Sequence, residues 1–207
     1  CGGLQILIRE FKSPSRPHFS NDSSFFILRA SFITAPSYDI SMRVTILGVE
    51  NGILDDRFGS KGSDFRGDMP TRSFGFLVED VPPGTICLAG IFDDPDSVPV
   101  SGFIWIHWCF ANLREHGMKE NASHTGGDFV QGTNSWHSAL DDFSRKEATG
   151  YGGPCPPDSE HEYRFRVFAL SSLLDIEDGF YLNELLKKIR GKVLAHASAY
   201  AGYSPRV

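Results

Sequence analysis

Short apolar runs separated by turn residues follow one another along the chain from Met42 onward. The runs are rich in β-branched and aromatic residues and are bounded by Gly, Pro, Asn and Asp, which is the pattern of strands joined by turns. One segment differs: in 181–191 (YLNELLKKIRG) leucine and isoleucine recur at helical spacing, and Gly191 is a C-terminal stop. The pattern predicts a mainly β domain with one or two peripheral helices. The predicted strands are 44–49, 73–78, 86–92, 103–113, 163–170 and 193–203.

The first 41 residues show a different pattern. They include the Ser- and Pro-rich stretch 13–24 (SPSRPHFSNDSS), have no lasting periodicity and begin with Cys1. Their apolar stretch 27–35 (ILRASFITA) resembles a secretory signal only weakly. We therefore predict that 1–41 is an N-terminal extension outside the core fold and that 42–207 is the domain.

The charge balance narrows the classes of partner. The chain of 207 residues is 41% hydrophobic and 22% charged, which suits one globular domain with a substantial core. Its net charge is −6 and no run of Lys or Arg exceeds two residues, so neither a general nucleic-acid binder nor a basic membrane-surface binder is expected. No apolar segment approaches the roughly 20 residues of a transmembrane helix.

The four cysteines form no CxxC pair and show no metal-ligand spacing. Cys87 and Cys109 lie in apolar strand-like runs and are predicted to be buried thiols. A reduced, cytoplasmic protein is the simplest interpretation, with a single disulfide left open. An exported form requires that residues 1–41 are a real and processed segment.

Candidate chemistry begins with the acidic turn FDDPD (92–96), which on local evidence is equally well a solvated turn. In the next strand a period of two places His107 with Cys109 on one face, and Ile106 with Trp108 on the other. A buried imidazole needs a hydrogen-bonding partner, so His107 is predicted either as a paired core histidine or as part of a site.

A third element is the strand HEYRFRVFAL (161–170). Here His161 and Tyr163 share a face, and Arg164 lies on the other. The strand follows a loop, 150–157 (GYGGPCPP), in which Gly permits close approach of the backbone and Pro fixes φ. This loop is predicted to be either a structural corner or one wall of a binding site.

These elements favour an anion pocket over other chemistries. The sequence has no HxH or HExxH metal motif, no GxSxG nucleophile motif and no phosphate-binding P-loop. A carboxylate beside an imidazole favours the protonated ring, which offers two N–H donors to an anion. Backbone amides of a Gly-containing loop add further donors.

Five segments together point to a known family. Their order, spacing and rare residue types resemble the phosphatidylethanolamine-binding protein family, in the bacterial and archaeal branch described as Raf-kinase-inhibitor-like. The resemblance covers roughly residues 42–206. The segments are DVPPGTICLAGIFDDPD (80–96), IHWCFANL (106–113), QGTNSW (131–136), GYGGPCPPDSEHEYRFRVFAL (150–170) and ELLKKIRGKVLAHASAYAGYSPR (184–206).

This resemblance implies a Greek-key β-sandwich with a small anion pocket at one end. In the family, the DPD turn supplies a carboxylate to the pocket, and two strands supply histidines and a tyrosine. The GPCPP loop supplies a backbone amide and forms one wall of the pocket. It implies no cofactor and no metal. The residues in these positions are Asp94 with Asp96 close by, His107, His161, Tyr163, Cys155 for the amide and Pro157 for the wall.

Two segments depart from the family pattern in length. The segment 92–99 (FDDPDSVP) carries an extra residue, which affects the rim after Asp96. The stretch 137–149 is longer than usual and is expected to form a flap over the site, and a weak helical pattern covers 138–147. These departures remove no pocket residue, but they bear on the choice of ligand.

Three functions are compatible with this resemblance. The first is a non-catalytic binding protein for phosphate, phosphorylated small molecules or phospholipid head groups. The second is an inhibitor or modulator of a protein kinase or serine protease. The third is a small hydrolase or isomerase that uses Asp94 and a histidine as an acid/base pair. A homodimer is left open.

Overall fold

The computed structural model describes residues 41–206. Two short 3-10 turns lie at Asp56–Phe58 and Pro95–Ser97. The helices are α1 (Val98–Ser101), α2 (Ala122–Thr125) and α3 (Leu182–Lys188). The strands are β1 (Arg43–Ile46), β2 (Val49–Glu50), β3 (Ile53–Leu54), β4 (Phe65–Arg66), β5 (Met69–Pro70), β6 (Phe76–Glu79), β7 (Cys87–Asp94), β8 (Trp105–Leu113), β9 (Gly117–Met118), β10 (Val130–Gln131), β11 (His137–Ser138), β12 (Asp141–Asp142), β13 (His161–Leu170) and β14 (Val193–Tyr203).

Two sheets form the body of the fold. The larger has the strand order β10-β8-β7-β13-β14-β3-β2, and the smaller has the order β1-β6-β9. The four long strands pair antiparallel, and the chain returns from β8 to place β13 on the other side of β7. This non-sequential return confirms the predicted mainly β sandwich.

The main core lies between the two sheets. Phe74, just before β6, packs edge-on against Phe92 at 5.0 Å, Phe165 at 5.2 Å and Trp108 at 5.9 Å between ring centroids. A second cluster lies on the outer face of the larger sheet, where Leu185 of α3 joins a set that includes both Cys87 and Cys109. Both thiols are fully buried, as predicted.

The strand predictions hold for the long elements and fail at short ones. The predicted strand 44–49 is divided between β1 and β2 by a turn at Gly48, whose φ is +85°. The helix predicted over 138–147 is wrong, because this stretch starts with the β11–β12 hairpin. The hairpin is held by packing of Phe143 on Trp136 at 5.6 Å and by a 2.8 Å hydrogen bond from His137 Nδ1 to the Phe143 carbonyl.

The domain prediction for 42–207 falls almost wholly within the described residues, whereas the extension and its signal-like stretch lie outside them. In 41–206, no helix is both long and apolar enough to cross a membrane.

Candidate functional site

A β-bulge at His107 turns this side chain toward the core between the sheets. Phe92 pairs with Trp108 and the next residue, Asp93, pairs with Ile106, which leaves His107 as the extra residue of β8. Its ring contacts Phe92 at 5.6 Å between centroids. The predicted alternation is therefore wrong at this point: Ile106 packs with the outer cluster that contains the buried thiols, and His107 lies on the side of Trp108.

His107 is neutral in the folded protein. Burial lowers its pKa below the ordinary value of 6.5, against the opposing effects of Asp94 and of the Gly152 carbonyl. Its Nδ1 lies 2.6 Å from that carbonyl oxygen, and a carbonyl can only accept, so Nδ1 carries the proton. The remaining nitrogen, Nε2, is then an acceptor. The expectation of a protonated imidazole does not hold for His107.

Asp94 is held by two hydrogen bonds at the end of β7. Its Oδ1 accepts from the Ser97 N–H at 3.0 Å and caps the 3-10 turn 95–97, while its Oδ2 accepts from His161 Nδ1 at 2.8 Å. The neighbouring Asp93 points to the opposite face, where Arg164 binds it through two nitrogens. Alternation along β7 thus gives these two carboxylates separate partners.

His161 lies between two carboxylates. Asp94 binds its Nδ1, and Asp158 Oδ1 lies 3.0 Å from its Nε2. Burial acts to lower the pKa of His161, but the hydrogen bonds and charges of Asp94 and Asp158 together raise it above 6.5. Because only 3% of its side chain is exposed, this imidazolium depends on these carboxylates rather than on water.

The Gly/Pro-rich loop 150–157 is fixed to the sandwich through its backbone. The Gly152 N–H donates to the His107 carbonyl and the Gly153 N–H donates to the Pro70 carbonyl, both at 2.8 Å. The Pro154 carbonyl accepts from the Ser60 N–H at 2.8 Å. The Cys155 N–H makes no hydrogen bond to another described residue. The loop is therefore held against the sandwich through its backbone, while the Cys155 amide stays available for a further acceptor.

These elements enclose a cavity of about 230 Å³. Asp96 does not line it: its carboxylate is exposed and accepts from the Glu162 N–H at 2.9 Å. Among the described residues, no group of three His, Cys, Asp or Glu side chains is arranged to hold a metal ion. The residues in the lining that the sequence singled out are Asp94, His107, Cys155, Pro157, His161 and Tyr163.

The lining also contains residues that the sequence reasoning missed. Leu140 and Asp141 come from the β11–β12 hairpin, so the segment expected to form a flap borders the cavity. Burial and the neighbouring Asp142 raise the pKa of Asp141. The other missed residues are Ser97, Val100, Ser101, Trp105, Trp136 and Pro156.

Two buried donors in this lining have no acceptor within 41–206. They are the hydroxyl of Tyr163, a residue with no exposed surface, and the indole Nε1–H of Trp136, which is 7% exposed. Burial raises the pKa of Tyr163, and so does Asp94, through its charge and through a contact with the hydroxyl that falls short of full hydrogen-bond geometry, so the hydroxyl keeps its proton and remains a donor. An unpaired buried donor costs about 1–3 kcal/mol. Neither donor atom has exposed surface in this structure, so a ligand oxygen recovers this cost only when the lining shifts to admit it.

The two histidines predict opposite effects of pH on folding. The contribution of His107, whose folded-state pKa is lowered, is complete above pH 6.5 and is lost as the pH falls below it. The contribution of His161, whose folded-state pKa is raised, is complete below pH 6.5 and is lost as the pH rises through its folded-state pKa. Their combined contribution to the free energy of unfolding is greatest near pH 6.5.

Urea unfolding of the wild type and His107→Gln at about pH 5, 6.5 and 8 measures this effect. Relative to the wild type, His107→Gln is expected to lose less stability between pH 6.5 and 5, and to change equally between pH 6.5 and 8. A parallel decline of both proteins on the acid side would contradict a neutral, buried His107.

Known proteins match this chain in sequence over most of the described residues. The family described as phosphatidylethanolamine-binding protein matches residues 48–204. The chain is 38% identical over 154 residues to the uncharacterized protein YxkA of Bacillus subtilis. This alignment covers 72% of this chain and 92% of YxkA. It is 34% identical over 128 residues to a UPF0098 protein of Methanothermobacter thermautotrophicus, covering 59% of this chain and 76% of the relative.

Solved structures show the same fold. The phosphatidylethanolamine-binding protein homolog CT736 of Chlamydia trachomatis aligns with a TM-score of 0.65 and 27% identity, over 80% of this chain and 99% of that chain. YbcL of E. coli, described as a member of the mammalian PEBP family, aligns with the same TM-score and coverage at 22% identity. The second match supports the fold alone.

Proposed function

The chain belongs to the phosphatidylethanolamine-binding protein family, and we propose that it is a non-catalytic binding protein whose cavity takes the phosphate group of a small molecule or lipid head group. The observation that carries the proposal is the pair of buried, unpaired donors, Tyr163 O–H and Trp136 Nε1–H, in one cavity. Phosphate oxygens are strong acceptors, and once a small shift of the lining admits them they would satisfy both donors together with the Cys155 amide.

The charge of the site also suits a phosphate group with few charges. His161 brings one positive charge to the lining, against the carboxylates of Asp94 and Asp141. Neutral His107 presents Nε2 as an acceptor, which matches a phosphate oxygen that still carries a proton. The site therefore favours a monoanionic phosphate group over a fully ionised one.

The same contacts argue against acid/base catalysis. Both oxygens of Asp94 accept hydrogen bonds within the protein, so its role in holding His161 and the turn 95–97 accounts for its position without catalysis. The Nδ1 proton of His107 is likewise committed to the Gly152 carbonyl. Turnover of phosphoesters that is lost in Asp94→Asn would contradict this proposal.

Tyr163→Phe tests the binding site directly. Inorganic phosphate is expected to stabilise the wild type by roughly 2.7 kcal/mol at a hundred times its Kd. Tyr163→Phe should weaken phosphate binding about tenfold, or ~1.4 kcal/mol. It should not lower the stability of the unliganded protein, because the hydroxyl makes no full hydrogen bond and its removal relieves the cost of an unpaired buried donor. Calorimetric titration and thermal melting measure the two effects.

Tyr151→Phe is the matched control. Tyr151 is also buried, but its hydroxyl donates to the Phe58 carbonyl at 2.9 Å and the residue does not line the cavity. This variant should lose about 1 kcal/mol of stability and keep its phosphate affinity. Equal phosphate affinity in Tyr163→Phe and the wild type would overturn the role given to the unpaired donor.

Two further proposals from the sequence remain predictions: inhibition of a kinase or protease, and a cytoplasmic location.

A further inference from the structure

We infer that the Asp158 carboxylate competes with a bound phosphate group for the Nε2–H of His161. Without a ligand, Asp158 accepts the hydrogen bond that the phosphate group would otherwise accept. The inference rests on the proposed function and adds a residue that determines affinity and ligand choice. Asp158 follows directly on Pro157, which is part of the cavity lining.

The geometry leaves His161 no free donor. Its Nδ1 binds Asp94 and its Nε2 binds Asp158, at 2.8 and 3.0 Å. Although the His161 ring lines the cavity, an anion there can take a hydrogen bond from it only when one of these carboxylates withdraws. Asp94 is buried and also caps a turn, so Asp158 is the carboxylate that can leave.

Exposure makes this exchange feasible. The Asp158 side chain is 56% exposed, so a carboxylate that leaves the ring is hydrated at once. The hydrogen bond to His161 also lowers the pKa of Asp158, so this residue is itself an anion when it holds the ring. Release of Asp158 without a replacement would leave Nε2–H of a buried imidazolium unpaired. The state in which Asp158 accepts from Nε2–H and the state in which a phosphate group accepts from it are therefore similar in free energy.

The fold keeps His161 in place while Asp158 moves. His161 pairs with Tyr203 of β14, and the next residue, Glu162, is fixed by its N–H bond to Asp96. Asp158 belongs to the exposed stretch 157–160 before the strand. Only this stretch has to shift, and Asp96, which lies outside the cavity, has a positioning role.

This competition selects for ligand chemistry. A tethered carboxylate already satisfies the His161 donor, so a free carboxylate gains little by replacing it. A phosphate group has more oxygens and can bond to His161 while it also accepts from Tyr163 and Trp136. Asp158 should therefore favour phosphate-type anions over simple carboxylates.

Calorimetric titration of the full chain with inorganic phosphate and with acetate, at about pH 5.5, tests the inference. The low pH favours the protonated ring, and Asp94 remains as its partner when the Asp158 charge is removed. Asp158→Asn is expected to bind phosphate about tenfold more tightly than the wild type and to gain measurable affinity for acetate. Glu160→Gln is the matched control, because it removes one negative charge from the same stretch. Neither Glu160 nor Asp158 is in the cavity lining; the two differ because the Glu160 carboxylate accepts from the Ser204 hydroxyl at 2.8 Å and not from His161.

The outcomes separate the two proposals. Tighter phosphate binding in Asp158→Asn with an unchanged Glu160→Gln supports the inference. Equal or weaker phosphate binding in Asp158→Asn, or the same gain in Glu160→Gln, overturns it and leaves the phosphate site intact. Absence of phosphate binding in all three proteins rejects the proposed function and the inference together.

Discussion

Asp94→Ala is expected to destabilise the protein by about 3–5 kcal/mol, which is the usual cost of removing one partner from a buried ion pair. The Asp94 and His161 side chains are only 5% and 3% exposed, so water cannot replace the lost carboxylate. The substitution also leaves the buried Ser97 N–H without its acceptor. Phosphate binding should be lost with it, because His161 then loses the buried carboxylate that holds its Nδ1 and favours its positive charge.

Two further variants separate the causes of this loss. Asp94→Asn can keep the bond from Ser97 while removing the charge, so its loss of stability should lie between those of the wild type and Asp94→Ala. Asp96→Ala removes an exposed carboxylate two residues away that accepts a single backbone N–H, and it should cost about 1 kcal/mol. Urea unfolding at about pH 6.5 measures all three. Equal losses in Asp94→Ala and Asp96→Ala would contradict a buried pair.

The site is assembled from a small number of local departures from regular structure. The bulge in β8 turns His107 to the cavity side, and the capped turn after β7 fixes the Asp94 carboxylate. In the larger sheet β8 pairs with β7, and β7 pairs with β13, so a small shift of one of these strands moves the others. We expect substitutions in these connections to affect ligand binding and stability together.

The long strands could be predicted because their side chains alternate cleanly. In β13, Tyr163 and Phe165 enter the core while Arg164 and Arg166 face Asp93, as a period of two requires. The face of His107 could not be predicted, because a one-residue bulge leaves no mark in the segment IHW. The β11–β12 hairpin was missed because two-residue strands are too short to show any periodicity.

Six of the seven candidate site residues line one cavity, and the family motifs are what picked them out. Trp136 was missed although it ends the quoted motif QGTNSW, since an unpaired indole N–H becomes visible only when burial and partners are known. Asp158 was missed for a similar reason. Its bond to His161 depends on how the loop turns back after Pro157, and an Asp before a strand is an ordinary turn residue.

Gly153→Ala is expected to destabilise the protein by roughly 3 kcal/mol and to abolish phosphate binding, because it displaces the loop that walls the cavity. A Cβ at this position would overlap the Phe58 carbonyl oxygen and lie 2.9 Å from Pro70 Cβ. The first contact is with backbone, so no side-chain rotation relieves it. The loop would have to move away from the sheet and break the bond from the Gly153 N–H to the Pro70 carbonyl.

Gly126→Ala provides the control for the general cost of replacing a glycine. Gly126 has a φ of +81°, but nothing lies near its added Cβ, so alanine meets only conformational strain of about 1–2 kcal/mol. This variant should keep its phosphate affinity, whereas Gly153→Ala should not. Thermal melting with and without phosphate compares the two. If Gly153→Ala retains full phosphate affinity, the position of the loop is not set by this contact, and the Cys155 amide is not needed for binding.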